Sequence, residues 1–157
     1  MTEDQILRPG LTSEVGQLRS VLLHRPGPEL KRLTPRNNDA LLFDAIPWVD
    51  RAQQEHDAFA QVLTDHGVEV VYLLDLLIET LESAPARDMC VQAVLADPRH
   101  GDTMRSILRT HLDGLHPEQL ASVLTAGLTR EELPGGTGLA IRLMDRHVFV
   151  IPRLPNL

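Results

Sequence analysis

The sequence predicts an α/β fold that is interrupted by a helical bundle. Residues 18–24 and 68–74 are short aliphatic runs, typical of buried strands, and an amphipathic helical pattern lies between them. The strand pattern disappears after Asp75 and returns only at residues 147–151. A strand, a helix and a second strand in this order favour a helix packed on a sheet. The long helical stretch favours a bundle inserted into that module.

The first α/β segment has clear punctuation. The turn Arg25-Pro26-Gly27-Pro28 ends the first strand. Pro47 predicts the first turn of a helix, where a missing N–H costs nothing, and Gly67 is a typical C-terminal stop. Between them, apolar residues at three- and four-residue spacing predict one buried helix face. These residues are Trp48, Val49, Ala52, His56, Phe59, Val62 and Leu63.

The helical stretch contains no convincing strand between residues 76 and 129. Two apolar stripes predict helices packed against each other. One stripe contains Met104, Ile107, Leu108, His111, Leu112 and Leu115, and the other Leu120, Val123, Leu124 and Leu128. Pro85, Pro98 and Gly114 divide the stretch into three or four helices, and Pro117 begins one. We therefore predict an α/β part at residues 1–74, an inserted bundle at 75–133 and a return to the α/β part at 134–157.

Composition excludes several classes of protein. A chain of 157 residues that is 43% hydrophobic and 24% charged is globular and long enough for a real core. The net charge of −7 gives no electrostatic support for binding nucleic acid or an anionic membrane. The single cysteine forbids an intramolecular disulfide, and no apolar run has the length of a signal peptide core or a membrane span. We therefore expect a cytoplasmic protein.

Residues 33–59 concentrate carboxylates, the only tryptophan and a histidine, so they are the first candidate for a site wall. Asp39, Asp44 and Asp50 could hold a cation such as a guanidinium, whose flat donor fork matches carboxylates. Asp39 is better explained as a loop cap, and Asp50 as favouring a helix N-terminus. Asp44 remains open as part of a pocket wall. For His56, a structural place on the inner helix face is favoured over catalysis.

The usual catalytic groups do not form a set. Cys90 lies between Met89 and Val91 in a helical segment, and a core cysteine is favoured over a nucleophile there. The seven histidines are dispersed and lack zinc-ligand spacing, so no metal site is expected. From the residues alone, the chain is an acidic α/β domain without a complete catalytic set.

A family resemblance rests on short motifs in a fixed order. These are SEVG at 13–16, HRPG at 24–27, RLTP at 32–35, LLFD at 41–44, QEHDAF at 54–59, LTAG at 124–127, ELP at 132–134 and LPNL at 154–157. In this order and spacing they resemble the first part of bacterial arginine deiminases. The resemblance covers nearly the whole chain after about residue 11.

The resemblance implies a hydrolase that converts L-arginine to L-citrulline and ammonia without a metal or organic cofactor. It implies a cysteine that forms a covalent amidino-thioether, a histidine that shuttles protons and carboxylates that hold the guanidinium. The implied fold is the five-bladed α/β propeller of the pentein superfamily, so this chain is expected to be a partial propeller, its first blade, with the helical bundle inserted. Two substrate-binding residues carry over, Leu42 and Asn156. Ala45 stands where many members have a second acidic residue.

The family's catalytic cysteine and histidine have no counterpart among the motifs of this chain, and members are more than twice as long. We therefore expect an N-terminal portion of such an enzyme, with no catalytic residues and no deiminase activity alone. The expected partner in the full-length enzyme is L-arginine. An alternative is a non-catalytic interaction module, in which the helical bundle pairs with itself as a homo-oligomer or with a longer deiminase.

Overall fold

The computed structural model describes residues 13, 15–34, 44–133 and 149–153. The strands are β1 (Ser20–Leu23), β2 (Glu69–Tyr72), β3 (Leu128–Thr129) and β4 (Phe149–Ile151). The helices are α1 (Pro28–Lys31), α2 (Val49–Asp65), α3 (Leu73–Glu82), α4 (Ala84–Leu95), α5 (Asp102–Asp113) and α6 (Pro117–Ala126), with a 3₁₀ turn at Arg130–Glu132. The described part is mixed α/β and mostly helical. Its strands form separate pairs rather than a closed sheet.

β1 and β2 form a parallel pair, in which Ser20 lies opposite Glu69 and Leu23 opposite Tyr72. Parallel neighbours need a crossover, and α2 supplies it while packing against β2. The predicted strand–helix–strand order is therefore confirmed. The second strand is shorter than predicted, because the chain turns into α3 at Leu73 instead of continuing as a strand to residue 74.

The two ends of α2 follow different rules. At the C-terminus, Val68 N donates to Leu63 O at 3.0 Å and Gly67 N to Thr64 O at 2.9 Å. Gly67 has φ +77°, so it ends the helix as predicted, in the left-handed conformation that glycine adopts most easily. At the N-terminus the prediction for Pro47 was wrong. Trp48 is an extended cap with φ −75° and ψ 102°, so Pro47 lies before the helix rather than in its first turn.

The buried face of α2 is narrower than the sequence pattern suggested. Val49 and Ala60 are buried and His56 is half-buried, but Phe59 and Val62 are each 54% exposed. Successive residues of an α-helix are rotated by about 100°, so Phe59 lies about 60 to 100° and Val62 about 120 to 160° around the axis from Val49, His56 and Ala60. Their predicted place on the buried face was wrong.

The bundle of α3 to α6 holds the main core. Its fully buried leucines and valine are Leu81, Val91, Leu108, Leu112 and Leu120. Leu108 and Leu112 belong to the first predicted stripe, which is confirmed as core. Pro117 is confirmed as the first residue of α6.

β3 closes one end of this core. It pairs antiparallel with β4, where Leu128 lies opposite Ile151, and both side chains are buried. Leu128 was predicted to lie on a helical stripe, and no strand was expected between residues 76 and 129. Both predictions were wrong, because the bend at Gly127 ends α6 and turns Leu128 onto the returning strand.

Candidate functional site

The two predicted substrate contacts, Leu42 and Asn156, lie outside the described residues, as does Asp39. Asp44 lies within them and is exposed, and Asp50 occupies the first turn of α2 as predicted. The structure therefore bears on the candidate site through the described residues that come before Leu42 and before Asn156 in the chain, which end at residues 34 and 153. These residues converge on the short helix α1.

Glu29 of α1 is a buried carboxylate, with only 1% of its surface exposed. Its Oε1 accepts a hydrogen bond from Gly27 N at 2.5 Å and lies 3.1 Å from His24 Nε2. A Cβ at position 27 would lie 2.8 Å from Glu29 Oε2, so the glycine leaves room for the carboxylate. The HRPG turn and the glutamate thus form one packed unit.

Arg153 approaches α1 from the other end of the chain. It is 4% exposed, and its Nη1 donates to the backbone oxygen of Glu29 at 3.4 Å. Burial lowers the pKa of the Arg153 guanidinium, and the negative charge of Glu29 offsets part of that effect. A buried guanidinium is strongly destabilising without such partners.

Gly127 holds the backbone of the same segment. Its φ of +76° and ψ of 178° lie in a region that is essentially restricted to glycine. A Cβ at this position would lie 2.6 Å from both Arg153 N and Ile151 O. The end of α6 and the exit of β4 therefore pack backbone to backbone.

Arg32, which precedes Leu42 in the chain, contacts residues at the end of the bundle. Its Nη1 and Nη2 each donate to a different carboxylate oxygen of Glu132 at 2.9 Å, and Nη2 also donates to Gly127 O at 3.1 Å. The guanidinium lies 5.8 Å from the centre of the Phe149 ring. Burial alone raises the pKa of Glu132, but hydrogen bonds from Arg32 and Thr129 outweigh it and lower that pKa to about 2.

His56 has the structural surroundings that the sequence favoured. Its side chain is 14% exposed, and its ring lies 5.9 Å from the Tyr72 ring. Its Nδ1 is 3.8 Å from Asp57 Oδ1, beyond hydrogen-bonding distance. Asp57 instead accepts two hydrogen bonds from Arg25, at 2.7 and 2.8 Å, which lower the pKa of its carboxyl.

Cys90 lies in α4, half-buried, and packs against the bundle core. Across the ranges that the structure describes, no group of three or more His, Cys, Asp or Glu residues could hold a metal ion. Within those same ranges, no helix has the length and apolar character needed to cross a membrane.

Glu29, Arg153 and the Arg32–Glu132 pair were not predicted from the sequence. A signal was present for Arg153, which is a lone charged residue between an apolar strand and a proline-containing segment. Glu29 carried a weaker signal, because its place beside Pro28 is equally typical of an exposed helix N-terminus. Arg32 and Glu132 each begin a motif of the family resemblance, but nothing local indicated that they pair, since they lie 100 positions apart in the chain.

Comparison with known proteins identifies relatives of this chain. The family model described as arginine deiminase matches residues 39–157. An arginine deiminase of Rhodococcus erythropolis is 55% identical over 152 residues, which cover 94% of this chain and 38% of the relative. Arginine deiminases of Mycobacterium tuberculosis and Mycobacterium marinum are 52% and 51% identical, with the same coverage. This chain thus spans about two fifths of the length of these relatives (38%). The resemblance carried by the motifs is confirmed, and the chain belongs to the arginine deiminase family.

Proposed function

We propose that this chain supplies part of the substrate-binding side of an enzyme that hydrolyses L-arginine to L-citrulline and ammonia. The observation that carries the proposal is the family match over residues 39–157, which includes both Leu42 and Asn156. In this proposal Leu42 is an apolar wall of the pocket, and the amide of Asn156 contacts the substrate.

The proposed reaction uses no metal and no organic cofactor. A thiolate attacks the guanidinium carbon, the C–N bond to a terminal nitrogen breaks, and that nitrogen leaves as ammonia after taking up a proton. Water then displaces the thiol from the amidino-thioether, which yields citrulline. We propose that the thiolate is not Cys90, because Cys90 packs against the bundle core. We propose likewise that none of the seven histidines is the proton-shuttling one, since none belongs to a catalytic motif of the resemblance.

For the fold, we propose that the α/β part is the first blade of a pentein propeller and that the bundle is an insertion in it. We keep the proposed division at 1–74, 75–133 and 134–157, and note that the bundle helices already begin at Leu73. Apolar side chains of β1 and α2 and of the residue before α2 are exposed in this chain. They support the proposal because the neighbouring parts of a propeller would cover them. They are Leu22 at 55%, Phe59 at 54% and Trp48 at 73% exposure. The single cysteine favours the cytoplasm as the compartment.

A graft tests the proposal directly. In the Rhodococcus erythropolis arginine deiminase, the matching stretch of 152 residues is replaced by this chain. We expect the graft to form citrulline from arginine, Asn156→Ala to raise its KM, and the 157-residue chain alone to form none. A folded graft without turnover would contradict the proposed function, and turnover by the chain alone would contradict its proposed inactivity.

An interaction module remains a second candidate. The apolar stripe of residues 104–115 first suggested this candidate. Its residues Leu108 and Leu112 are fully buried within the chain and are not available to a partner. Met89, which is 68% exposed on α4, and Leu76, which is 43% exposed on α3, are the observations that still favour it. Light scattering after size-exclusion chromatography tests it, with Met89→Gln expected to weaken association. A monomer that does not bind a full-length arginine deiminase would rule this candidate out.

A further inference from the structure

Arg153 is an unusual residue for its position in the fold. The two strand residues before Pro152, Val150 and Ile151, are 5% and 4% exposed, and Arg153 is as deeply buried at 4%. Taking a guanidinium out of water is costly unless charges and hydrogen bonds replace the lost hydration. If this buried position had only a structural role, an aliphatic residue would fill it at lower cost. The presence of an arginine there therefore needs an explanation.

Those partners fix the segment in two independent ways. The guanidinium reaches α1, where Nη1 donates to Glu29 O at 3.4 Å beside the buried Glu29 carboxylate. That carboxylate accepts a hydrogen bond from Gly27 N and lies 3.1 Å from His24 Nε2, so these contacts hold Glu29 in place. The backbone at Arg153 N meets Gly127 so closely that no side chain fits there. The contact with Glu29 O fixes the direction of the Arg153 side chain, and the contact with Gly127 fixes the position of the Arg153 backbone.

Asn156 follows Arg153 by three residues, which span at most about 11 Å when fully extended. A shift at residue 153 is therefore transmitted over a short distance, and displacements of about 1 Å can weaken a binding geometry substantially. We propose that Arg153 is a positioning residue for arginine binding, which acts through Glu29 to fix the chain at residue 153, three residues before Asn156 in the sequence. This inference rests on the proposed function, because it uses the substrate contact assigned there to Asn156.

The experiment uses the graft described above and measures KM and kcat for arginine. Arg153→Met keeps the length and apolar stem of the side chain but removes its charge and donors. We expect it to raise KM about tenfold with kcat within about twofold, the pattern of a lost binding geometry rather than lost chemistry. Arg153→Lys keeps the charge but lacks the planar fork, so we expect a smaller rise of about threefold.

The route through Glu29 is tested by a double-mutant cycle. Glu29→Gln alone is expected to raise KM in the same direction as Arg153→Met. Glu29→Gln keeps the backbone oxygen that accepts the hydrogen bond from Arg153 and removes only the negative charge that acts on its guanidinium. Because Arg153→Met already removes the partner of that charge, the double variant is expected to show no larger rise than Arg153→Met alone. Independent, multiplying effects on KM would overturn the route through Glu29.

The matched control is Arg99→Met. Arg99 also pairs with a carboxylate, that of Asp97, but it lies exposed on the turn between α4 and α5. We expect its KM to stay unchanged. If Arg153→Met lowers the melting temperature of the graft but leaves KM unchanged, Arg153 is structural and the inference is wrong. If Arg153→Met does not fold, Arg153→Lys decides, and an unchanged KM for that variant overturns the inference.

Failure of the proposed function gives a different result. A folded graft without turnover, or one in which Asn156→Ala has no effect on KM, overturns the function or the role of Asn156, and the inference with it. A rise in KM for Asn156→Ala without one for either Arg153 variant overturns the inference alone.

Discussion

At the scale of single residues, Gly127 is under the strongest steric constraint of the glycines in the described ranges. Its backbone conformation is essentially restricted to glycine, and a Cβ would meet three backbone atoms within 2.9 Å. Because strain and overpacking add, we expect Gly127→Ala to lower the free energy of unfolding by about 3 kcal/mol or more. Urea unfolding followed by circular dichroism measures this change.

Gly67→Ala is the matched control for Gly127. Gly67 has nearly the same φ, +77°, but no atom lies within 4 Å of a Cβ built there. Only the left-handed conformation is penalised, so we expect a loss of about 1 to 2 kcal/mol. Equal losses for the two variants would show that packing around Gly127 relaxes freely.

Glu132 makes stability depend on pH. Its pKa falls from 4.5 to about 2 in the folded protein, so its stabilising effect is complete above the unfolded value and is lost as pH falls from 4.5 towards 2. We expect the free energy of unfolding to decrease over this interval, and to decrease less in Glu132→Gln. Urea unfolding at several pH values, compared between the two proteins, tests this. Parallel pH curves would contradict it.

At the scale of elements, one arginine of α4 caps the C-terminus of α5. Arg87 Nη2 donates to Leu112 O at 2.8 Å, Asp113 O at 3.2 Å and Leu115 O at 2.7 Å. Leu112 and Asp113 are the last two residues of α5, where carbonyls lack the N–H of a further helical turn. Hydrogen bonds from charged groups contribute about 1.5–3 kcal/mol, so we expect Arg87→Met to destabilise the chain by about that amount.

Arg51→Met is the control for Arg87. Arg51 pairs with Glu55 one turn later on α2, and both side chains are more than half exposed. Such pairs are worth about 0.3–0.5 kcal/mol, so a loss below about 0.5 kcal/mol is expected in the same urea experiment. A loss for Arg87→Met as small as this would show that the three contacts do not stabilise the bundle.

At the scale of the whole molecule, burial is uneven. The main core joins the bundle to β3 and β4, whereas every residue of β1 and β2 is at least partly exposed. Local stability follows burial, so in the 157-residue chain we expect amide hydrogen exchange to be slowest in α5 and α6 and much faster in β1 and β2. Uniform protection, together with one sharp cooperative melt, would contradict this.

Local patterns predicted much of the fold. The aliphatic runs around β1 and β2, the glycine stop of α2 and the proline start of α6 depend on the backbone within a few residues, and all were confirmed. Errors occurred where two local signals competed. Residues 73 and 74 continue an aliphatic run but also begin α3, and packing of that helix in the bundle decided between them.

The candidate site was predictable only in part. The place of His56 followed from helix periodicity, and the residues Leu42 and Asn156 came from motif resemblance and stay predictions. The contacts that hold the neighbouring segments could not be predicted from local patterns. Arg153 meets Glu29 across 124 positions, and Arg32 meets Glu132 across 100.

By itself, the sequence determined the family and the order and type of most elements, because motifs, caps and hydrophobic periodicity are local properties of the chain. Only the tertiary structure decided which charged residues are buried and what they hold. Charged side chains are ordinarily exposed. The Glu29 carboxylate is held by Gly27 and His24 nearby in the chain, whereas Arg153 is buried against a backbone oxygen that folding brings to it across 124 positions.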